Sequence, residues 1–371
     1  MHGRTGATFD RLSMTGLPSA ATRTRALGHP SIPCVKLYFL VNAAQYHALF
    51  TSIGRENRGL CSWRQRMRRT FIVGCPRSGT TIVQALLARH PAIYTLPETA
   101  FFERLHGRLE WRWGDARAKA RSRWPQYLGL ARGRTRGVFA DLHRQLTGSA
   151  PSPWTPMRMR ALSRRFIALL DRSAAAAGRS MWLEKTPNHL LYIPEIEAVA
   201  PDACFVHVVR RGADVLASLA DVYLRFENDA VFGGGTVHWA RRWNRALQIH
   251  EQHMNRKNHH LVFLEDLITQ PEAEWARLCG FLGLQADAVL DNACQQPIAN
   301  LNDEPWKVSA IHGQLRHADP KVDGLFGPKM QRWLQAHLAS YDDLRARCVA
   351  ARSQPASHLH LAYEAPKARA G

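Results

Sequence analysis

Residues 74–81 read Gly74-Cys75-Pro76-Arg77-Ser78-Gly79-Thr80-Thr81, and this stretch decides the fold. It matches the phosphate-binding pattern G-x-x-x-x-G-K-[ST], except that Thr80 stands where the pattern has Lys. The backbone N–H groups of such a loop cradle a phosphate, and its Lys reaches the terminal phosphates of a triphosphate. Because the cradle is kept while Arg77 is the only cation of the loop, it is predicted to bind a short 5′-phosphate group.

The residues on both sides of this loop have the character that the motif requires. Phe71-Ile72-Val73 is a short apolar run of the strand type, and residues 82–88 form a helix-favouring run that ends before Pro91. A loop between a strand and a helix places the free N–H groups of the helix N-terminus against an anion. The alternative interpretation is an ordinary tight turn between strand and helix.

Strand-like and helix-like segments then alternate along the chain. Residues 204–209 and 260–264 are predicted strands, while residues 213–226 and the segment after Pro271 are predicted helices. Repeated βα units imply a parallel sheet that helices cover on both faces. The sequence therefore predicts an α/β protein with a P-loop-like three-layer α/β/α fold and a central parallel sheet.

The predicted domain organisation has one α/β domain at residues 70–350, with a helical insert at about 103–180 that caps the sheet edge. Residues 104–136 of this insert hold ten basic and two acidic residues. This pattern indicates either a docking surface for an acidic or amphipathic acceptor or a solvated Arg-rich face. A basic, partly helical extension (1–69) precedes the domain, and a flexible tail (351–371) follows it.

Composition limits the partners. The 371 residues are 46% hydrophobic, and 50 basic against 30 acidic residues give a net charge of +20, a field that attracts anions. No nucleic-acid-binding signature accompanies this charge, so we expect no nucleic acid partner, and contact with polyanions or an anionic membrane surface instead. The seven cysteines are an odd number without a CxxC pair, which indicates a reducing compartment and a cytoplasmic protein.

The second informative stretch begins at Arg210, directly after the strand at 204–209. In a P-loop hydrolase a strand of this kind often ends in an Asp that helps to hold Mg²⁺. Here the strand ends in Arg, which offers a cation to an anion. Ser218 lies about two turns into the following helix, so Arg210 and Ser218 can bind one phosphate from two directions.

With these blocks in place, the chain resembles the sulfotransferases that use 3′-phosphoadenosine 5′-phosphosulfate (PAPS). Four blocks carry the resemblance, namely Pro76–Thr81, Pro97-Glu98-Thr99, Glu184-Lys185-Thr186-Pro187, and Arg210 with Ser218. The second block is similar to the branch that includes tyrosylprotein and heparan N-sulfotransferases. Residues 264–267 and 281–284 also look like a conserved stretch of the family. The blocks span about 71–284 in the family's order.

The resemblance implies transfer of a sulfuryl group from PAPS to a hydroxyl or amine acceptor, without a metal. Glu98 would be the general base, with a pKa raised by desolvation, and Arg77 and Lys185 would stabilise the sulfuryl oxygens and the leaving phosphate. The implied donor-binding residues are Pro76, Arg77, Ser78, Gly79, Thr80, Thr81, Arg210 and Ser218. The acceptor stays open among small molecules, saccharides, lipids and peptides.

Two departures and several alternatives accompany this interpretation. Arg211 stands where many relatives have Asp. The family's C-terminal donor-binding loop has no clear match, and its candidates are Trp306, Lys307, His312, Arg316, Lys321 and Lys329. The alternatives are a P-loop kinase or other nucleotide-binding protein, a non-catalytic polyanion-binding protein on the same fold, and a metal hydrolase using His250 and His253. The spacing of those two histidines is more typical of a solvent-facing helix.

Overall fold

The chain divides into two units, Met1–Trp63 and Arg64–Gly371. The computed structural model describes residues 67–115, 118, 128–131, 133–152, 157–227, 233–287, 297–299, 301–302, 304–308, 310–312, 315 and 321–353, all of which lie in the second unit. Most of the predicted extension at 1–69 and the tail beyond residue 353 lie outside the described residues.

The second unit alternates strands and helices. Its strands are β1 (Arg68–Gly74), β2 (Ile93–Thr95), β3 (Met181–Lys185), β4 (Cys204–Val209) and β5 (His259–Phe263). Its α-helices are α1 (Thr80–Leu87), α2 (Phe101–His106), α3 (Leu109–Arg112), α4 (Gly133–Thr147), α5 (Met159–Ala176), α6 (Ile193–Glu197), α7 (Gly212–Phe226), α8 (Gly235–His253), α9 (Leu264–Thr269), α10 (Pro271–Leu282), α11 (Val322–Leu325), α12 (Pro328–His337) and α13 (Tyr341–Ser353). Two 3₁₀ segments, Pro187–Tyr192 and Pro305–Lys307, complete the described elements. None of the described helices combines the length and the hydropathy that a membrane span needs.

The five strands form one sheet in the order β2-β3-β1-β4-β5, and every neighbouring pair is parallel. The first strand is therefore central, with β3 on one side and β4 on the other. The chain passes from β1 to the edge strand β2, returns to β3 beside β1, and then crosses to β4 and β5 on the other side. In open parallel sheets, ligands bind at the carboxyl ends of the strands where the order reverses. The loop at 74–81 leaves the sheet at this point.

Apolar side chains cover both faces of the sheet. On β1, Phe71 and Val73 enter one buried cluster, while Ile72 enters the other. The first cluster includes residues of α5, α7 and α8, and the second includes residues of α1 and α10. Burial on both faces explains the continuous apolar run of β1, because a central parallel strand has no solvent-facing side. The predicted three-layer α/β/α fold is confirmed.

The structure confirms the predicted strands near 71–73, 204–209 and 260–264, and it contains two more. Sequence reasoning did not identify β2 or β3. The second omission matters because β3 ends in Glu184 and Lys185, whose side chains are both fully buried. Charged residues are almost never fully buried unless they are paired, so the sequence of this end of β3 does not indicate a buried strand.

The described part of the predicted insert is helical. It contains α2 to α5, and Asp171 on α5 accepts a hydrogen bond from the Nε1–H of Trp182 on β3 at 2.7 Å. Three tryptophans interleave the basic residues of the insert: Trp113 is buried in the core, Trp111 is exposed, and Trp124 lies outside the described residues. A cap over the sheet edge stays a prediction.

Of the two histidines singled out on α8, His250 does not face solvent as expected, because it is buried. Its Nδ1 lies 2.9 Å from Nδ1 of His207 on β4, whose Nε2 lies 2.8 Å from Nδ1 of His259. Nε2 of His259 in turn lies 3.2 Å from a carboxylate oxygen of Glu197. We call His250, His207, His259 and Glu197 the histidine chain. Since His207 uses its two ring nitrogens on different partners, the rings form a chain and do not converge on a point. No group of three or more potential ligands among the described residues is arranged to hold a metal ion.

Candidate active site

The loop at 74–81 leaves β1 through a glycine and enters α1 through another. A Cβ atom on Gly74 would lie 2.5 Å from the carbonyl oxygen of Val208, so this position admits no side chain without backbone movement. Gly79 precedes α1 with φ 93°, a left-handed conformation that glycine adopts at no steric cost. A Cβ there would lie 2.9 Å from the side chain of Leu264 on α9. Gly74 is therefore required by the close approach of β4, and Gly79 by its left-handed conformation.

The predicted loop residues lie at the N-terminus of α1, as expected. Ser78, Thr80 and Thr81 are buried, whereas Pro76 and Arg77 are half-buried. Arg77 has a φ of 73°, which is unusual for a residue with a side chain and costs on the order of 1–3 kcal/mol. Strained backbone of this kind clusters at ligand-binding sites. The loop thus combines a helix N-terminus with a cation held in a strained conformation.

Arg77, Arg210 and Ser218 form one contact group. The guanidinium Nε–H of Arg77 donates to Oγ of Ser218 at 3.1 Å, and a guanidinium N–H of Arg210 donates to the backbone carbonyl of Arg77 at 3.3 Å. The parallel pairing of β1 with β4 produces this contact, since Arg77 follows one strand and Arg210 follows the other. The residues predicted to hold two different ends of the donor are therefore neighbours.

The positive charges of this group are not neutralised by these contacts, because both accepting oxygens are neutral. Burial lowers the pKa of Arg77, the charge of Arg210 lowers it further, and Asp221 raises it, giving a pKa of about 10. Arg77 is still charged at neutral pH. Two adjacent guanidinium groups with neutral partners are the arrangement that an anion such as a phosphate would complete.

Glu98 is the centre of a second contact group. Its carboxylate accepts hydrogen bonds from the ammonium of Lys185 at 2.7 Å and from the ammonium of Lys307 at 2.8 Å. Lys307 also pairs with Glu304. The side chain of Lys185 is fully buried, whereas 23% of the Glu98 side chain is exposed. The predicted pair of Glu98 and Lys185 is thus in direct contact, at the carboxyl end of the strand next to β1.

The expectation that desolvation raises the pKa of Glu98 is wrong. Burial does raise it, but the charges of Lys185 and Lys307 and their hydrogen bonds outweigh burial and hold the pKa of Glu98 at about 2. Burial lowers the pKa of Lys185, which the charge of Glu98 partly offsets. Burial also acts to lower the pKa of Lys307, but Glu98 and Glu304 more than compensate and raise it. Sequence reasoning missed the second lysine at this carboxylate.

A buried carboxylate explains why the second and third sequence blocks meet. Glu184 accepts hydrogen bonds from the hydroxyls of Thr99 at 2.7 Å and Thr186 at 2.6 Å, and it lies 2.9 Å from Nδ1 of His189. The hydroxyl of Thr186 also accepts from the backbone N–H of Ala100 at 3.1 Å. These bonds fix the turn that carries Glu98 to the end of β3. Glu184 therefore positions the carboxylate that Lys185 contacts.

Among the C-terminal candidates, Lys307 reaches the site. Lys321 pairs instead with Asp221 on α7, and Arg316 lies outside the described residues. Trp306 packs its ring against Phe226. Arg211, the other departure, donates its backbone N–H to Glu265 at 3.0 Å. A lone lysine in a short 3₁₀ segment carries little sequence signal, and only its contact with Glu98 distinguishes Lys307 from the other candidates.

The family model described as "Sulfotransferase family" matches residues 69–288, which is more than half of the chain. The chain therefore belongs to the sulfotransferase family, and the family predicted from the four blocks is confirmed. It is an enzyme whose family reaction is sulfuryl transfer.

Two curated relatives are protein-tyrosine sulfotransferases. The chain is 25% identical over 254 residues to a putative protein-tyrosine sulfotransferase of Caenorhabditis briggsae, covering 66% of this chain and 76% of that protein. It is 24% identical over 261 residues to a protein-tyrosine sulfotransferase of Drosophila melanogaster, covering 69% of this chain and 42% of that protein. Among solved structures, it is similar to mouse sulfotransferase SULT7A1 complexed with PAP, with 13% identity and a TM-score of 0.38, over 76% of this chain and 85% of that chain.

Proposed function

We propose that this protein transfers a sulfuryl group from PAPS to a hydroxyl or amine acceptor, with Glu98 as the general base. The observation that supports this most directly is the carboxylate of Glu98 held between Lys185 and Lys307, at the sheet edge that also carries the phosphate-binding loop. One anion site and one base flanked by cations are the two parts that sulfuryl transfer to an oxygen or nitrogen needs.

The donor fits the residues around the loop. Backbone N–H groups of residues 77–81, together with the Thr80 and Thr81 hydroxyls, would hold the 5′-phosphate at the N-terminus of α1. Arg210 and Ser218 would hold the 3′-phosphate. Arg77 contacts Ser218 in the described structure, so it is placed to join the donor's two ends and to stabilise the sulfuryl oxygens as they take up charge.

In the proposed reaction the acceptor oxygen or nitrogen forms a bond to sulfur while the bond between sulfur and the bridging phosphate oxygen breaks. The electron pair of that broken bond stays on the phosphate, which leaves as adenosine 3′,5′-bisphosphate. The acceptor proton passes to the carboxylate of Glu98. Lys185 and Lys307 would stabilise the negative charge of the sulfuryl oxygens and the leaving phosphate.

The low pKa of Glu98 is compatible with this role if the two lysines change partners. A carboxylate with a pKa of about 2 is a weak base, and the lysines are what keep it there. Donor anions near Lys185 and Lys307 would compete for their ammonium groups. The pKa of Glu98 would then rise, so the base would strengthen when the donor is in place.

The proposal is tested by thermal-shift measurements with adenosine 3′,5′-bisphosphate, adenosine 5′-monophosphate, ATP and GTP. Selective stabilisation by the bisphosphate is the expected result, because ligands that bind the folded state raise its melting temperature. Arg210→Ala should remove the preference for the bisphosphate over the monophosphate. Arg211→Ala is the matched control, since the side chain of Arg211 is exposed and its backbone makes the contact with Glu265. Equal stabilisation by ATP and the bisphosphate would favour a kinase or another nucleotide-binding protein.

A further inference from the structure

Gln84 is a fully buried amide on α1, the helix that follows the phosphate-binding loop. Its side-chain N–H groups donate to the hydroxyl of Thr95 at 3.0 Å and to the backbone carbonyl of Leu96 at 2.9 Å. The hydroxyl of Thr95 in turn donates to the carbonyl of Leu183 on β3 at 3.0 Å. One side chain therefore joins α1, the segment that follows β2, and the strand β3.

The orientation of this amide is fixed although one of its atoms is unpaired. Oε1 of Gln84 has no hydrogen-bond partner among the described residues. A flip of the amide would not relieve this, because the carbonyl of Leu96 can only accept and has to face the N–H groups. An unpaired buried acceptor costs about 1–3 kcal/mol. Gln84 thus holds the backbone of Leu96 in place even though one of its own polar atoms stays unpaired.

The contact at Leu96 is close to the proposed base along the chain. Pro97 is the one residue between Leu96 and Glu98, and a proline ring fixes φ at about −65°. The residue before a proline is itself restricted to extended conformations. Because few backbone torsions are free between the held carbonyl of Leu96 and the next residue but one, a movement of that carbonyl displaces Glu98 with it.

The chain is also held on the other side of Glu98. The hydroxyl of Thr99 donates to the buried carboxylate of Glu184 at 2.7 Å, and the backbone N–H of Phe102 donates to Nε2 of His189 at 3.1 Å. Releasing the chain before Glu98 should therefore rotate this residue about a fixed point behind it. A misplacement of about 1 Å can lower the rate of a reaction about 100-fold.

We infer that Gln84 is a positioning residue, which couples the helix at the donor's 5′-phosphate to the general base by fixing the backbone that carries Glu98. This inference rests on the proposed function. Because its side chain is fully buried, Gln84 reaches neither donor nor acceptor and acts through the segment at 95–98. The loss of its amide should therefore matter only while Glu98 is present.

The experiment is a double-mutant cycle on kcat, since residues that act through one another have non-additive effects. Labelled sulfate from PAPS is followed to whichever of 2-naphthol, N-acetylglucosamine and a tyrosine-containing peptide is sulfated fastest. Gln84→Met keeps the length of the side chain without the amide and should lower kcat at least about tenfold. In the Glu98→Gln background the same change should lower kcat less than about twofold, because the base that Gln84 positions is already absent.

A spectroscopic measurement tests the same coupling without an acceptor. The carboxyl carbon of Glu98 is titrated by NMR and assigned from the signal that Glu98→Gln removes. Its contacts with Lys185 and Lys307 hold the pKa of Glu98 at about 2 against an ordinary 4.5. Displacement of Glu98 in Gln84→Met should weaken these contacts and raise that pKa towards its ordinary value.

Two further variants separate positioning from folding. Val83→Ala is the matched control, because Val83 is also fully buried on α1 but packs in the second apolar cluster. It should lower the melting temperature while leaving kcat within about twofold. Thr95→Val removes the hydroxyl that links Gln84 to β3 and keeps the branched shape of the side chain. It should show the same non-additivity with Glu98→Gln, and it decides the question if Gln84→Met does not fold.

Equal losses of kcat from Gln84→Met with and without Glu98 overturn the inference, and so does an unchanged pKa of Glu98 in that variant. Both outcomes leave the proposed function intact, since bisphosphate binding and the effect of Glu98→Gln are measured separately. If the bisphosphate does not stabilise the unchanged protein and labelled sulfate reaches none of the acceptors, the proposed function fails and this inference fails with it.

Discussion

Replacing Glu98 with Gln should abolish transfer and at the same time tighten the binding of adenosine 3′,5′-bisphosphate. The two lysines lower the pKa of Glu98 from its ordinary 4.5 to about 2, against an opposing effect of burial. After the opposing effect of burial, this net difference favours the charged carboxylate by about 3 kcal/mol. The amide side chain removes the attraction between the carboxylate and its lysines, so Lys185 and Lys307 become available to the phosphate of the ligand.

The expected magnitudes follow from this competition. Turnover should fall at least about 100-fold, because a positioned general base contributes on the order of 10²–10⁴. The Kd of the bisphosphate, measured by calorimetry, should fall about three- to tenfold. This gain is smaller than the roughly 3 kcal/mol because the ligand recovers only part of the interaction that the lysines made with Glu98. Without ligand the variant should be less stable, since the fully buried Lys185 then lies beside Lys307 without its carboxylate.

Glu103→Gln is the control for this experiment. Glu103 is also half-buried, and it accepts a hydrogen bond from the amide of Asn188 at 2.8 Å rather than from a lysine. Its replacement should leave the affinity for the bisphosphate within twofold. The reasoning is refuted if Glu98→Gln weakens bisphosphate binding tenfold or more, or if the variant retains turnover near that of the unchanged protein.

Three further predictions concern the loop, the sheet and the histidine chain. Arg77→Ala should lower turnover at least about tenfold in the labelled-donor assay, as expected for one lost transition-state donor, and unchanged turnover would remove Arg77 from the mechanism. Gly74→Ala should destabilise the protein by about 2 kcal/mol or more in urea unfolding, because its Cβ would meet the carbonyl of Val208, whereas Gly137→Ala, in an open helical position, should be neutral or stabilising. Burial and neighbouring histidines hold the pKa of His207 well below its ordinary 6.5, and they hold the pKa of His250 at about 3 and that of His259 at about 4. These three rings are therefore neutral in the folded protein and take up protons on unfolding. The free energy of unfolding should therefore fall as the pH drops from about 6.5 towards 4, by up to about 4 kcal/mol per pH unit for three protons. His207→Gln should reduce that slope by about a third. An equal slope in the variant would contradict this.

The sequence predicted the parts of the fold that have strong local signals. The run from Phe71 to Val73 and the two glycines of the loop follow from chain geometry alone, and the structure places them as expected. The strand β3 was not predicted, because it ends in two charged residues. Glu184 and Lys185 can be buried because Thr99 and Glu98, from a distant stretch of the chain, come to pair with them. Local pattern cannot show that such a partner exists.

The sign of the Glu98 pKa shift illustrates the same limit at the candidate site. Burial alone raises a carboxylate pKa, and the sequence offered no reason to expect a second cation. Lys307 is 209 residues away from Glu98 in the chain. The resemblance was sufficient to name Glu98 and Lys185 as candidates for one site, but the net charge around the carboxylate depends on a third residue that only the fold brings in.

The arrangement of the site follows from the position of β1 between β3 and β4. One neighbour ends in Lys185 and brings a cation to Glu98, while the other is followed by Arg210 and brings a cation to the loop. Under the proposed function, the donor's two phosphates would contact both sides of the central loop, and the order β3-β1-β4 provides both sides. Because Glu184 and Lys185 are consecutive, the strand end that supplies Lys185 also fixes the turn that carries Glu98. One strand terminus therefore sets the spacing between Glu98 and Lys185, so a change at Thr99 or Thr186 should lower turnover while the Kd for adenosine 3′,5′-bisphosphate stays the same.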